Sequence, residues 1–292
     1  MDKFLIVTNT DKDVNYEVSK TIKEYMESKG KTCVIATEAE NHVNEYDPYI
    51  DVSQVEDDVD CALVLGGDGT IIQAANDLVY KDIPLLGINF GTLGFLAEVE
   101  KTNMIGVFEQ LFRGEYKKDT RMMLKGKVNH VKNATQVGYQ GHALNDIVIS
   151  KRGLCRIITV KVYVNDQLVD TYRCDGLIVS TPTGSTGYNL SAGGPIVFPE
   201  IEAIMVTAIC PHTLNNRCII VSPKDTLVLE IGKSKTSVED EANVIFDGRL
   251  TSNVESGDRI EIIRAKEVTE IVKVTDTTFF DVVREKILKG RC

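Results

Sequence analysis

Cys61-Ala-Leu-Val-Leu-Gly-Gly-Asp-Gly-Thr70 is an apolar run that stops in a glycine-rich turn. The run predicts a buried strand, and the apolar stretch from Ile71 to Val79 predicts a helix just beyond. Glycines at such a junction let backbone N–H groups approach a phosphate, and the helix aims its positive end at the same place. Gly66, Gly67, Gly69 and Thr70 are therefore candidate phosphate contacts. Asp68 is the odd member, because an anion in an anion-binding loop must do something else: hold a metal ion, or take a proton from an attacking hydroxyl. The loop reads as phosphoryl-transfer chemistry. No lysine follows the glycines, so it is not a GxxxxGK[ST] loop. Taken alone, Gly-Asp-Gly is also ordinary turn chemistry, and the rest of the chain has to decide.

Outward from this junction, strand and helix signals alternate. Phe4 to Val7 is a short apolar run, and Val14 to Lys29 carries a helical stripe at Val18, Ile22, Tyr25 and Met26, stopped by Gly30. Cys33 to Ala36 and Leu85 to Ile88 predict further strands, the loop Asn89 to Leu96 follows, and Asn103 to Phe112 predicts a helix. This alternation predicts an N-terminal doubly wound parallel α/β domain, whose ligands sit outside the carboxyl ends of the strands. From about Arg121 the period changes. Ile147–Ser150, Ile157–Val164, Gly176–Ser180, Cys218–Val221, Thr226–Ile231, Asn243–Phe246 and Arg259–Ile263 are short β-branched runs, and Asn165-Asp166 and Asp247-Gly248 read as hairpin turns. That half predicts a largely antiparallel β domain. Phe279 to Leu288 returns to helical spacing and is expected to pack back on the first domain. The expected division is 1–120, 121–275 and 276–292, resting on the change of period alone.

The bulk numbers narrow the function. At 292 residues and 43% hydrophobic, the chain can bury a large core. A net charge of -10 is not the basic footprint of a nucleic-acid binder. It also points to a divalent cation, magnesium or manganese, between an acidic protein and a phosphate-rich ligand. The seven cysteines form no CxxC pair or zinc spacing and read as reduced core residues. The N-terminus lacks the pattern of a signal peptide, and the run Ile201 to Cys210 is about half of a membrane span. A cytoplasmic chain with no membrane partner is expected. His42, His130, His142 and His212 form no readable constellation.

Two further segments carry chemistry. Asn145-Asp146 opens the strand at Ile147, and Arg156 follows ten residues later. An amide beside a carboxylate suits ribose hydroxyls, since Asn both donates and accepts; a strand-start cap is the plain alternative. The longer segment, Asp175-Gly-Leu-Ile-Val-Ser-Thr-Pro-Thr-Gly-Ser-Thr-Gly-Tyr188, runs from a strand into a dense polar loop. Its hydroxyls and N–H groups suit phosphate oxygens, and Tyr188 offers a ring for stacking against a base. Asn189-Leu-Ser-Ala-Gly-Gly-Pro195 continues it.

GGDGT, the Asn-acidic pair and DGLIVSTPTGSTGYNLSAGGP, in this order, resemble the NAD kinase family. NFGTLGFL (89–96), PHTL (211–214) and the turn Asp247-Gly248-Arg249 resemble it as well. The likeness runs from about Cys61 to the C-terminal helix and is weakest before it. It implies transfer of the γ-phosphoryl group of ATP to the 2′-hydroxyl of the adenosine ribose of NAD. It places Asp68 as proton acceptor with Gly69 beside it, Asn145 and Asp146 on the dinucleotide, and Arg173 and Asp175 at the entry of the third motif. Thr183 and the stretch Thr186, Gly187, Tyr188, Asn189, Leu190 and Ser191 lie around the adenine-bearing half. Phe95, Arg156 and Arg249 fall at ligand-contacting positions of variable type. A homodimer or homotetramer is also implied. Two residues depart from the pattern: Asp146 stands where Glu is usual, and Gly187 where alanine is common. The residues leave open a lipid kinase of the diacylglycerol or sphingosine type, which shares GGDGT, and a non-catalytic NAD(P)-binding sensor. They also leave open the phosphoryl donor, the choice between NAD and NADH, and feedback by NADP.

Overall fold

Strand β1 (Lys3–Thr8) is apolar enough to be buried on both faces, and it lies inside a parallel sheet, paired on both sides. The computed structural model describes residues 1–39, 49–91, 94–97, 99–131, 138–153, 157–213, 217–233 and 241–288. In chain order β1 is followed by α1 (Glu17–Ser28), β2 (Thr32–Ile35), β3 (Cys61–Leu65), α2 (Asp68–Asp77), β4 (Leu85–Asn89), β5 (Val99–Glu100) and α3 (Met104–Arg113). Then come β6 (Lys117–Asn129), β7 (Gln140–Ala143), β8 (Asp146–Lys151), β9 (Ile158–Val164), β10 (Gln167–Cys174) and β11 (Gly176–Ser180). The chain continues through α4 (Tyr188–Ser191), β12 (Ile204–Ile209), β13 (Ile219–Val221), β14 (Leu227–Ile231), β15 (Glu241–Phe246), β16 (Arg249–Glu255), β17 (Arg259–Lys273) and α5 (Phe279–Val283). Two compact units result: Met1–Arg121 with Val268–Cys292, and Met122–Glu267.

In the first unit the strands order β2-β1-β3-β4, all parallel. The end of β17 joins β4 in parallel at Ile271 opposite Leu85. The winding direction reverses between β1 and β3, and open α/β sheets bind ligands at such a switch point. Ile22 and Met26 of α1 and Val107, Phe108 and Leu111 of α3 share one core with Phe4, Ile6, Leu63, Leu65, Leu86 and Ile88. Fully burying a Leu, Ile or Phe side chain contributes roughly 1.5–3 kcal/mol. The helix read from Val14 starts only at Glu17, because Asn15 and Tyr16 both take φ +57. Asp13 instead accepts the N–H groups of Val18 (2.8 Å) and Ser19 (3.1 Å).

α5 opens with a reciprocal Thr278–Asp281 capping box and continues as a π turn over Arg284–Leu288. It packs back within this unit, the Phe279 ring lying 6.0 Å from that of Phe95.

The second unit is antiparallel. One sheet runs β13-β12-β11-β8-β15-β16. Facing it, β10-β9-β14 continue to the first half of β17. Ile147, Ile149, Leu177, Val179, Val206 and Val244 from one layer share a core with Val160, Val162, Leu227, Leu229, Ile260 and Ile262 from the other. The alternating strands β9 and β14 show period-2 burial, whereas β11 is buried along its whole length. Asn165-Asp166 (φ +48, +65) and Asp247-Gly248 (φ +46, +84) take the left-handed pairs that two-residue hairpins require.

Candidate functional site

Gly67 caps α2, so Asp68 is the first residue of the helix rather than a member of a free loop. Its backbone enters a helix N-terminus while its carboxylate turns to a neighbouring loop of the same unit. Oδ2 accepts the N–H of Phe95 at 2.8 Å, and Oδ1 those of Leu96 at 3.0 Å and Ala97 at 3.2 Å. Gly94 permits this, because a Cβ there would fall on Asp68 Oδ1. Gly66 has a similar reason to be glycine: a Cβ would collide with the Thr70 hydroxyl, which folds over it. Thr70 is therefore held against the turn, while Gly67 and Gly69 face open space at the helix start. Asn9, just past β1, donates its N–H to Leu65 O at 3.1 Å, fixing the two strand ends that flank the switch point. Phe95 is half-buried, with the Lys286 ammonium 5.3 Å from its ring centre. Thr92 and Leu93 of the loop lie outside the described residues.

In the second unit the Asn145-Asp146 pair is set by a residue that the sequence marked only as part of a turn. The carboxylate of Asp247, in the β15–β16 turn, accepts three consecutive N–H groups: Leu144 at 2.6 Å, Asn145 at 2.8 Å and Asp146 at 2.9 Å. Its own N–H returns to Asp146 O at 3.0 Å. The Asp-Gly hairpin dipeptide was visible in the sequence; its reach across the sheet was not. Asn145 Oδ1 is buried with no hydrogen-bond partner among the described residues. Buried polar atoms are seldom left so, and this one has unused capacity for a ligand. Asp146 is 6% exposed, and no described group donates to its carboxyl. Burial, with the nearby Asp247 charge second, pushes that carboxyl up to about 8.

The third motif corrects the expectation that its hydroxyls serve phosphate. Thr181 Oγ1 donates to Leu144 O at 2.6 Å and accepts the N–H of Gly184 at 3.1 Å. Ser185 Oγ is paired with Val197 through both its N–H and its carbonyl, each at 3.1 Å. Thr186 Oγ1 donates to Thr183 O at 3.4 Å, and Thr183 is itself buried. These hydroxyls shape the loop, and its backbone holds it on Asn145: the Thr181 N–H donates to Asn145 O at 2.8 Å, where a Cβ on Gly184 would also fall. Asn189 is likewise turned inward, accepting from Thr207 at 2.7 Å and donating to Pro195 O at 3.2 Å. Its side chain is spent inside the fold, leaving the backbone for any ligand. Gly187 and Leu190 are half-buried, Ser191 is exposed, and Tyr188 keeps 47% of its surface exposed. Asp175 is ion-paired to Lys151 at 2.7 Å, and Arg173 is exposed beside it in sequence. Arg249 starts β16, two residues past Asp247. Arg156 lies outside the described residues.

Among the described residues, no group of three His, Cys, Asp or Glu side chains is placed to hold a metal ion. The one carboxylate of the glycine loop faces three N–H donors, so these residues do not build a cation cage of their own. Burial pushes the thiols of Cys33, Cys61 and Cys174 up to about 12, which leaves these three unreactive. No helix among the described residues is long and apolar enough to cross a membrane.

Residues 4–116 match the ATP-NAD kinase N-terminal domain, and residues 144–274 the ATP-NAD kinase C-terminal domain. The chain belongs to the NAD kinase family. It is 47% identical over 286 residues to an NAD kinase of Lachnoclostridium phytofermentans, covering 98% of this chain and 99% of that one. With an NAD kinase of Caldanaerobacter subterraneus it shares 38% identity, over 98% of this chain and 99% of the relative. Among solved structures, a yeast NADH kinase complexed with NADH gives a TM-score of 0.78 at 22% identity, covering 100% of this chain and 88% of that one. An NAD kinase of Archaeoglobus fulgidus in complex with ATP gives 0.72 at 23%, covering 98% of each. At these identities the structural likeness concerns the fold. The first sixty residues, where the sequence offered only a strand–helix pattern, lie within the NAD kinase match. Neither the lipid kinase nor the sensor reading gains support.

Proposed function

We propose that the chain is an NAD kinase that transfers the γ-phosphoryl group of Mg·ATP to the 2′-hydroxyl of the adenosine ribose of NAD, giving NADP. The observation that carries this reading is the match of both halves to the NAD kinase domains, with curated NAD kinases aligned over nearly the whole chain. Magnesium enters with the triphosphate as part of the substrate.

Asp68 takes the ribose proton. A ribose hydroxyl is a weak nucleophile at neutral pH, and a positioned base contributes about 10²–10⁴-fold. The atom that accepts is Oδ2, because it carries one N–H hydrogen bond where Oδ1 carries two, leaving it a lone pair. The N–H groups at the start of α2 receive phosphate oxygens, with Gly67 and Gly69 leaving the approach open. Most of the acceleration comes from alignment and from neutralising phosphate charge, as in other phosphoryl transfers.

On the dinucleotide side, Asn145 offers its unpartnered Oδ1 and Tyr188 an exposed ring. The roles of Arg173, Asp175, Arg156 and Arg249 rest on the family likeness alone, as do cytoplasmic location and a homodimer or homotetramer. The reading is tested by incubating the purified chain with NAD and Mg·ATP and assaying with an NADP-specific dehydrogenase. Product that the dehydrogenase accepts supports 2′-phosphorylation. A phosphorylated dinucleotide that it refuses contradicts it.

A further inference from the structure

Two carboxyl groups of the second unit, Asp146 and Asp247, are treated in opposite ways by the backbone around them. Asp247 collects three N–H donors on its two oxygens, an arrangement that suits only an acceptor. Asp146 collects none among the described residues, although it is 6% exposed. Two neighbouring carboxylates in one buried setting do not both ionise cheaply, and the environment decides which keeps the proton. The donors hold Asp247 ionised, so the proton falls to Asp146. Among the described residues nothing else that packs there competes for it. Across the sheet, Ser180 of β11 stands opposite Asp146, but its hydroxyl donates toward Asn145 O and Thr181 O. From β15 and its turn, Asp247 is the one charged group acting on Asp146.

We infer that Asp146 binds the dinucleotide as a neutral carboxylic acid, donating its O–H to an acceptor oxygen of the ligand rather than accepting from ribose hydroxyls. This rests on the NAD kinase reading and changes the role that the family likeness gives the position. An ionised carboxylate can only accept hydrogen bonds, whereas the acid form also donates one. Burial supports the assignment, since it holds the Asp146 carboxyl at about 8.

The test counts protons. Isothermal titration of NAD into wild-type protein near pH 8, in buffers of different ionisation enthalpy, reads protons exchanged on binding. A donor role requires the ionised fraction to take up a proton, about half a proton per site at the midpoint. An acceptor role requires release instead, and release overturns the inference; so does the absence of any exchange. A second measurement needs no ligand. Carboxyl-labelled aspartate should show one NMR signal titrating near pH 8 that is missing from Asp146→Asn. If every aspartate titrates below about pH 5, as unperturbed carboxyls do, the inference falls. The labelled titration does not depend on the kinase reading. A chain that makes NADP yet releases protons on binding NAD keeps that reading and loses this one. A folded chain that does not bind NAD loses both.

Discussion

Asp68 is asked to do two things with one carboxylate: fasten the loop at 95–97 and accept a proton. The two roles separate by substitution. Asp68→Asn keeps one acceptor oxygen but turns an amide toward an N–H, leaving that donor unmatched at a cost of about 1–3 kcal/mol. Hydrogen exchange should then quicken at Phe95, Leu96 and Ala97, and a thermal melt should fall modestly. Gly94→Ala probes the same contact from the other side. Its Cβ would expel the carboxylate, and overpacking of this kind costs about 1–3 kcal/mol. Activity should fall in Gly94→Ala although no functional group has been removed; unchanged kinetics would show that the contact is not needed.

Asp146 makes a prediction about pH. Its folded carboxyl sits at about 8, against an ordinary value of 3.8. Between those values the folded chain holds a proton that the unfolded chain has released. Its contribution is therefore greatest below the lower value and is lost as pH rises toward 8, by at most about 1.4 kcal/mol per pH unit. Urea midpoints at pH 5.5 and 8.5 should show Asp146→Asn gaining on the wild type as pH rises. Parallel pH dependence in the two proteins would refute this. The sequence carried the identity of these residues but not their partners. GGDGT and Asn-Asp were legible as motifs, whereas the hydrogen bonds that reach Asp68 from Phe95–Ala97 and Asn145 from Asp247 depend on tertiary approach.

At the scale of elements, the loop from β11 through Thr183–Thr186 into α4 is built by its own side chains. Thr181→Val removes the bonds to Leu144 O and Gly184 N, and should destabilise by about 1–3 kcal/mol through the unmatched backbone groups. Equal stability in chemical denaturation would count against that account. Tyr188 is the contrast, with 47% of its surface exposed. Tyr188→Ala should raise KM for NAD with little change in thermal stability, since stacking on a base is worth about 1–3 kcal/mol. Tyr188→Phe should restore KM. The strands themselves were readable where apolar residues are β-branched and bounded by turns, as in β8, β9, β14 and β15. β6, β10 and β16 were not read, because they are polar along much of their length and take their conformation from their neighbours. Hydroxyl-rich composition was read as ligand chemistry when much of it is internal scaffolding.

At the scale of the molecule, the glycine loop belongs to a parallel unit, and the Asn-Asp pair and the polar loop belong to an antiparallel one. The change of period near Arg121 was legible because parallel strands separated by helices and antiparallel hairpins write different patterns. The return of the chain to the first unit through β17 and α5 was visible only as a helical stripe at Phe279. A net charge of -10 over the whole chain makes a free triphosphate a poor visitor and Mg·ATP a better one. Chelating the metal should therefore abolish turnover while NAD binding by calorimetry persists; loss of NAD binding on chelation would point to a resident cation instead.

The most direct test of the account is NADP formation by wild type beside Asp68→Asn, with NAD affinity measured for both. The account predicts at least a roughly 100-fold loss of kcat in the variant, with NAD still bound. Turnover per bound NAD that is unchanged by the substitution would contradict it.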